Sequence, residues 1–158
     1  MTNPHERLRE LGLTLPAPPS AVASYLPTRV VPLGEGRALL YVAGQLPVQD
    51  GKRLTGRCPD EVSVEEAQTA ARACAIGVLA QIEAAVGLDQ VEQVTQLIGF
   101  VLSTGDFGDQ PKVLNAASDL LVDVLGDAGR HTRAAVGASS LPFSVTVEIA
   151  AVAVVRTR

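Results

Sequence analysis

The sequence predicts an α+β fold in which a mixed β-sheet carries two long helices on one face. Two stretches, residues 63–87 and 109–126, place apolar or small side chains at intervals of three and four, as amphipathic helices do. Strand-like stretches precede, separate and follow them, so the predicted order is strand, strand, helix, strand, helix, strand, strand. Right-handed crossovers then place both helices on the same side of the sheet.

The length and composition are those of one folded domain. The chain has 158 residues, of which 47% are hydrophobic and 19% are charged, so it is globular rather than disordered. Residues 1–24 start with a short amphipathic stretch and continue into a proline-rich lead-in. We therefore expect an N-terminal extension over residues 1–24 and a single domain over residues 25–158.

Charge and hydropathy limit the classes of partner. A formal net charge of -4 argues against a basic groove for nucleic acid. No apolar run reaches the roughly 18 residues of a membrane span, and the first ten residues lack the apolar core of a secretory leader. We expect a soluble, cytoplasmic protein that does not partner with a membrane.

The cysteines and histidines give no sign of a metal site or of any cofactor. Cys58 and Cys74 have no second cysteine or histidine at a metal-ligand spacing. Buried or incidental thiols are favoured over a disulfide for a chain of this class. His5 and His131 lie far apart in the sequence, and a lone histidine in a loop such as His131 is more often structural or solvated than a ligand contact.

The first half of the chain contains two strands and a helix. Residues 28–33 and 37–43 are typical of strands joined by a turn at residues 34–36, where two glycines supply the backbone freedom that a hairpin needs. Ser63 and Glu66 have the spacing of a capping box and predict the start of the first long helix. Many positions on the buried side of that helix are alanine, so it can lie close to the sheet.

The second half repeats the order of strand and helix. Residues 93–102 predict a strand whose apolar run over 97–102 indicates burial on both faces. Residues 111–125 predict the second helix, with Asp109 near its N-cap and Gly126 at its end.

The last segment places two charged residues among apolar and small ones. Residues 131–154 read as a hairpin joined near Ser140 and Leu141, in a register that sets Arg133 opposite Glu148. One face of the hairpin would hold the core, and the other would hold this charge pair. The core face would consist of Ala134, Val136, Val145, Val147 and Ile149, and the other face of Arg133, Ala135, Thr146 and Glu148. An Arg133–Glu148 ion pair without any ligand is the simplest explanation of the two charges.

Two helices cannot cover both faces of such a sheet. The uncovered face would carry small and apolar residues, which predicts self-association of the chain.

Three ordered motifs resemble one family. Arg133, the Leu141–Pro142 turn and the Val-Glu-Ile strand at 147–149 are similar to the C-terminal signature of the Rid/YjgF family, also labelled endoribonuclease L-PSP-like. The Ala-Gly-Gln-Leu-Pro run at 43–47 and the stretch from Phe107 to Asn115 resemble two upstream motifs of that family. The resemblance implies a chorismate-mutase-like fold and a homotrimer whose sheets surround a central axis, with sites in the clefts between subunits.

The resemblance also implies roles for five residues. Arg133 matches the ligand of the substrate carboxylate, Glu148 the residue that handles the attacking water, and Gly44 a position that lines the pocket. Tyr25 corresponds to an N-terminal tyrosine of the family, although its separation from Gly44 is longer here, and Asn115 matches a helix-start asparagine. Other interpretations remain open: Glu148 neutralises Arg133, Gly44 forms a strand-end turn, and Asn115 fixes local structure through backbone hydrogen bonds.

Two departures indicate a divergent branch. Ala135 stands where the family often has a reactive cysteine, and Ala150 where it often has a second acidic residue. Thiol chemistry at position 135 is therefore excluded.

The leading hypothesis for function is hydrolytic deamination of 2-imino or enamine acids to 2-oxo acids and ammonia. A non-catalytic trimer that binds a small carboxylate-bearing metabolite, or that stabilises a partner protein, is the alternative. A ribonuclease is disfavoured because the chain is acidic and lacks a basic aromatic surface.

Overall fold

A computed structural model of the chain describes residues 3–20 and 23–157. The main sheet has five strands in the order β1-β2-β7-β5-β6, and a small two-stranded ribbon, β3-β4, lies apart from it. The strands are β1 (Thr28–Gly34), β2 (Arg37–Gln45), β3 (Val48–Gln49), β4 (Lys52–Arg53), β5 (Val91–Leu102), β6 (Thr132–Ala138) and β7 (Val147–Arg156). β6 runs parallel to β5, and the other pairs within the main sheet are antiparallel.

Three α-helices accompany the sheet: α1 (Pro4–Glu10), α2 (Val64–Ala85) and α3 (Gln110–Leu125). The capping box of α2 is confirmed, because the Ser63 hydroxyl accepts from the Glu66 amide and the Glu66 carboxylate accepts from the Ser63 amide. Asp109 lies at the N-cap of α3, and Gly126 follows its last residue. The predicted α+β class, with a mixed sheet and two long helices on one face, is therefore confirmed.

The hydrophobic core lies between the sheet and the helices α2 and α3. Alanine side chains dominate the buried side of α2, so this helix packs closely on β2 and β7. Those alanines are Ala67, Ala70, Ala71, Ala75 and Ala80. The larger buried side chains come from both long helices and from the strands, among them Leu40, Leu79, Leu97, Leu114 and Ile149.

The predicted hairpin between the last two strands is wrong. β6 and β7 are not neighbours, because β5 lies between them and pairs with both. α3 connects β5 to β6 as a crossover, which makes these two strands parallel and leaves β6 at the edge of the sheet. Arg133 consequently lies opposite Leu97, and Glu148 lies opposite Phe100.

The faces of the two strands differ from the prediction for the same reason. Val145, Val147 and Ile149 are buried as expected, but Ala134 and Val136 of β6 are exposed. Arg133 and Ala135 face the helices instead. The predicted separation into one apolar face and one charged face therefore fails for β6 and holds for β7.

The side of the sheet that faces away from the helices, here called the open face, is partly apolar. Ile98 and Phe100 of β5 are only half-buried there, so the expected burial of this strand on both faces does not occur within one chain. Tyr41 and Val136 are exposed on the same face.

The N-terminal segment contributes to the core. Leu8 of α1 is buried in the core cluster, and Leu13 and Leu15 pack against it. The division at residue 24 stays a prediction, and residues 1, 2, 21 and 22 of the expected extension lie outside the described residues.

Both cysteines are buried free thiols, as expected. The Cys74 thiol contacts the carbonyl oxygen of Val147 at 3.4 Å, and burial raises its pKa well above the ordinary value. In the described ranges, no helix is long and apolar enough to cross a membrane.

Gly129 packs against the backbone of α3 shortly before β6, and its substitution tests that packing. A Cβ at position 129 would lie 2.2 Å from the carbonyl oxygen of Leu121, a backbone atom of α3 that cannot rotate away. We expect Gly129→Ala to destabilise the protein by at least about 2 kcal/mol, or roughly 4 to 8 °C in Tm. Thermal unfolding at fixed protein concentration measures the effect.

Gly105→Ala is the matched control, because nothing lies within 4 Å of a Cβ at position 105. If the Gly129→Ala protein has the same Tm as the Gly105→Ala protein, the expected effect of the packing of this turn on α3 is contradicted.

Candidate functional site

Arg133 lies under α3 at the edge of the sheet. One of its terminal nitrogens, Nη1, donates to Asn115 Oδ1 at 3.1 Å and to Ser118 Oγ at 3.0 Å. The other, Nη2, donates to the carbonyl oxygen of Pro111 at 3.2 Å. Three neutral oxygens of one helix therefore hold the guanidinium.

The sequence of α3 explains these three hydrogen bonds. Positions 111, 115 and 118 are separated by four and three residues, so they lie on one side of the helix. That side runs beside β6, where the register with Leu97 turns the Arg133 side chain toward the helices. Asn115 was predicted from a motif, whereas Ser118 was missed, although its spacing from Asn115 could have identified it.

The guanidinium keeps unused hydrogen-bonding capacity. An arginine has five N–H donors, of which the three contacts above use two on Nη1 and one on Nη2. Within the described part of the chain, Nε–H and one Nη2–H remain without a partner. Nε and Nη2 together form one of the sides by which a guanidinium can bind a carboxylate in bidentate fashion. No described carboxylate lies within 4.0 Å of Arg133, so the predicted Arg133–Glu148 ion pair is wrong.

His131 extends the contacts of Arg133 through Ser118. Its Nε2 lies 2.9 Å from Ser118 Oγ, and its Nδ1 lies 2.6 Å from the carbonyl oxygen of Gly129. The ring is half-buried. His131 thus has a structural environment, in agreement with the more common role of a lone histidine.

Glu148 lies on the open face in the middle of the sheet. Its carboxylate packs against Gly44 of the neighbouring strand β2, where a Cβ would lie only 2.2 Å from Glu148 Oε1. Burial raises the pKa of Glu148 above its ordinary value, because the charged form loses hydration. A half-buried carboxylate with a raised pKa beside bare backbone is suited to accept a proton.

Gly44 lies at an irregularity in the pairing of β2 with β7. The register shifts between Val42 and Gln45, and the buried Gln45 side chain turns back to donate from Nε2 to the carbonyl oxygen of Ala43 at 2.9 Å. The missing side chain of Gly44 is therefore needed for a close approach to Glu148, and a simple strand-end turn does not describe it.

One chain does not bring the predicted site residues together. Arg133 and Asn115 are in contact, and so are Gly44 and Glu148, but the two pairs lie on opposite faces of the sheet with β5 between their strands. Tyr25 lies before β1 and is 54% exposed.

Two cavities among the described residues of the single chain are lined by neither pair. One, of about 490 Å³, is lined in part by Glu83, Gly87 and Arg156, and the other, of about 250 Å³, is lined in part by Thr55 and Thr146.

Comparison with known proteins identifies the family. Residues 5–153 match the family model described as "YjgF/chorismate mutase-like, putative endoribonuclease". Protein TCP17 of Trypanosoma cruzi is 43% identical over 145 residues, which cover 90% of this chain and 88% of that protein. The structure of Atu1372 from Agrobacterium tumefaciens, a protein of unknown function, is 44% identical with a TM-score of 0.86, covering 96% of this chain and 92% of that chain.

The fold is also similar to that of E. coli TdcF, solved with bound serine. The two are 27% identical with a TM-score of 0.60, over 89% of this chain and 94% of that chain. The family match and the high identity over nearly the whole chain agree with the motifs in the sequence, and this chain belongs to the YjgF/chorismate mutase-like family.

Proposed function

We propose that the protein hydrolyses 2-imino acids, or their enamine tautomers, to 2-oxo acids and ammonia. In this proposal, Arg133 of one copy binds the substrate carboxylate, and Glu148 and Gly44 of a neighbouring copy form the part of the site where water attacks. The observation that carries the proposal is the Arg133 guanidinium, which is held by neutral oxygens of α3 and keeps two donors for an anion.

A carboxylate is the ligand that this arrangement favours. A half-buried guanidinium is costly unless an anion compensates it, and its planar fork matches the two oxygens of a carboxylate. Each charge-assisted hydrogen bond contributes about 1.5 to 3 kcal/mol. TdcF, a relative with the same fold, was solved with serine, which carries such a carboxylate.

The placement on two faces favours a site built from two copies. Because Arg133 and Glu148 are separated by a strand and point to opposite sides of the sheet, one chain cannot apply both to a small substrate. The open face, with Tyr41 and Val136 exposed and Phe100 half-buried, supplies the apolar surface on which copies would pack. We propose the homotrimer that the family resemblance implies.

The chemistry needs one water and no cofactor. Glu148 accepts a proton from the water as the water oxygen bonds to the imine carbon, and it passes this proton to the imine nitrogen, which gives a neutral carbinolamine. Glu148 then takes the proton of the carbinolamine hydroxyl and passes it to the nitrogen as the C–N bond breaks. Ammonia leaves, the carbon becomes the ketone of a 2-oxo acid, and Glu148 is ionised again. Free imines hydrolyse readily, so positioning and charge stabilisation supply most of what the reaction requires.

The alternative is a non-catalytic trimer that binds small carboxylates or stabilises a partner. Arg133 serves that function equally well, since it does not need Glu148. What favours catalysis is the close approach of Glu148 to Gly44, which places a carboxylate with a raised pKa beside open backbone.

The Arg133→Ala variant tests the carboxylate contact. Two charge-assisted hydrogen bonds would be lost, so we expect kcat/KM to fall at least about 100-fold, because 1.4 kcal/mol corresponds to a factor of ten. Ammonia release from 2-iminobutanoate generated in situ measures the rate. Arg130→Ala is the control, since the Arg130 side chain is 73% exposed and contacts only Asp127 within 4.0 Å among the described carboxylates.

A wild-type rate no higher than that of the buffer would eliminate deamination. In that case, protection of the wild type, but not of Arg133→Ala, against thermal unfolding by 2-oxobutanoate would support the non-catalytic alternative.

The Glu148→Gln variant tests the base. Glutamine keeps the shape but cannot take the proton, so we expect kcat to fall by about two orders of magnitude or more. Glu10→Gln, at an exposed position of α1, is the control. Retention of more than half of the wild-type kcat by Glu148→Gln would contradict the assigned role.

The raised pKa of Glu148 also predicts a pH dependence of stability. Because the folded-state pKa exceeds the unfolded one, ionised Glu148 disfavours the folded state, and this penalty is absent below the ordinary glutamate pKa of about 4.3 and complete above the folded-state pKa. We therefore expect Glu148→Gln to melt above the wild type at pH 7, by a few °C at most. The difference should shrink as the pH falls toward 4, and a constant or reversed difference would contradict this explanation.

A further inference from the structure

We propose that Ser118 and His131 are positioning residues, which hold the Arg133 guanidinium so that its Nε–H and free Nη2–H face the substrate carboxylate. This inference rests on the proposed function, because it takes the carboxylate as the ligand of Arg133. The geometry behind it is a continuous chain of three hydrogen bonds that ends on the protein backbone.

The chemistry of the acceptors fixes the direction of each bond. The Gly129 carbonyl oxygen can only accept, so His131 Nδ1 carries a proton and donates to it. In the neutral ring, Nε2 is then an acceptor, and it receives the Ser118 hydroxyl proton. The same hydroxyl oxygen has a lone pair left to accept from Arg133 Nη1. All donors and acceptors of this series of hydrogen bonds are matched in this arrangement of the neutral ring.

The end of this series of hydrogen bonds, at His131 and Gly129, is closely packed. Gly129 lies so close to the Leu121 backbone that even a Cβ would overlap with it. On the other side of His131, the Thr132 hydroxyl donates to the carbonyl oxygen of Thr95 at 2.7 Å, which attaches the start of β6 to β5. His131 therefore lies between two held positions, Gly129 and Thr132, and Ser118 lies within α3.

Hydrogen bonds that fix the orientation of a side chain before binding matter most for a long side chain, which has the most rotamer entropy to lose. Arginine has up to about 2 kcal/mol of rotamer entropy to lose on binding, and a preset orientation removes part of that loss. Asn115 and Pro111 also hold the guanidinium, but Asn115 is exposed, whereas Ser118 is half-buried and itself held by His131. Loss of the Ser118 contact should thus weaken carboxylate binding more than it affects the reacting carbon.

The kinetic test compares Ser118→Ala, His131→Phe and the conservative Ser118→Thr, which keeps the hydroxyl. We expect KM for 2-iminobutanoate to rise about five- to thirty-fold in the first two variants, with kcat within about threefold of the wild type and recovery of KM in Ser118→Thr. Ser20→Ala makes the same chemical change at an exposed position and serves as control. A merely structural role would lower Tm and leave KM unchanged, and that result would overturn the inference.

A second measurement separates this inference from the proposed function. If the wild type releases no ammonia, the Kd for 2-oxobutanoate still reports on Arg133, and a weaker Kd in Ser118→Ala supports the inference although deamination fails. If the wild type is active and KM is unchanged in Ser118→Ala, deamination stands and the positioning role of Ser118 fails.

Nitrogen-15 NMR of the histidine ring tests the network without any ligand. The wild type should show His131 protonated on Nδ1 and accepting on Nε2, and Ser118→Ala should shift the Nε2 resonance. A wild-type ring protonated on Nε2 alone would overturn the inference.

Discussion

The parallel pairing of β6 with β5 is the constraint on which the rest of the structure depends. Since α3 makes the crossover between these strands, the strand that carries Arg133 emerges at the edge of the sheet, directly beside the helix that precedes it. The guanidinium then binds to oxygens on the polar side of α3 and contacts no described carboxylate. A hairpin in the same place would have joined the two charges and left nothing for a ligand.

The same constraint separates the two residues to which the proposed function assigns substrate binding and proton transfer. Glu148 projects from the middle of the sheet onto the open face, while Arg133 projects from the edge strand onto the face that the helices cover. In the proposed homotrimer, each copy would offer one half of a site to a neighbour, and the apolar open face would be the surface on which the copies pack.

Local patterns in the sequence predicted the elements well and their pairing poorly. The capping box at Ser63, the apolar spacing of α3 and the alternation in β7 are local signals, and the structure agrees with all of them. The hairpin was wrong because two strands that follow each other in sequence often pair, and alternation in β6 is weak when its residues are alanine, valine and glycine. The contact of Arg133 with Asn115 and Ser118 depends on that long-range pairing, so it could not be predicted from strand pattern alone. The family motifs nevertheless identified Gly44, whose close packing on Glu148 requires a glycine.

A guanidinium with no carboxylate partner among the described residues has a consequence beyond the proposed substrate. The two free donors of Arg133 do not distinguish strongly between an organic acid and an inorganic oxyanion, because both present paired oxygens. Phosphate or sulfate in a buffer would therefore compete for the same position. Monovalent salt would screen the charge of Arg133 only in part, because this side chain is half-buried. Under the proposed function, the affinity for a small acid is thus a property of the medium as well as of the chain.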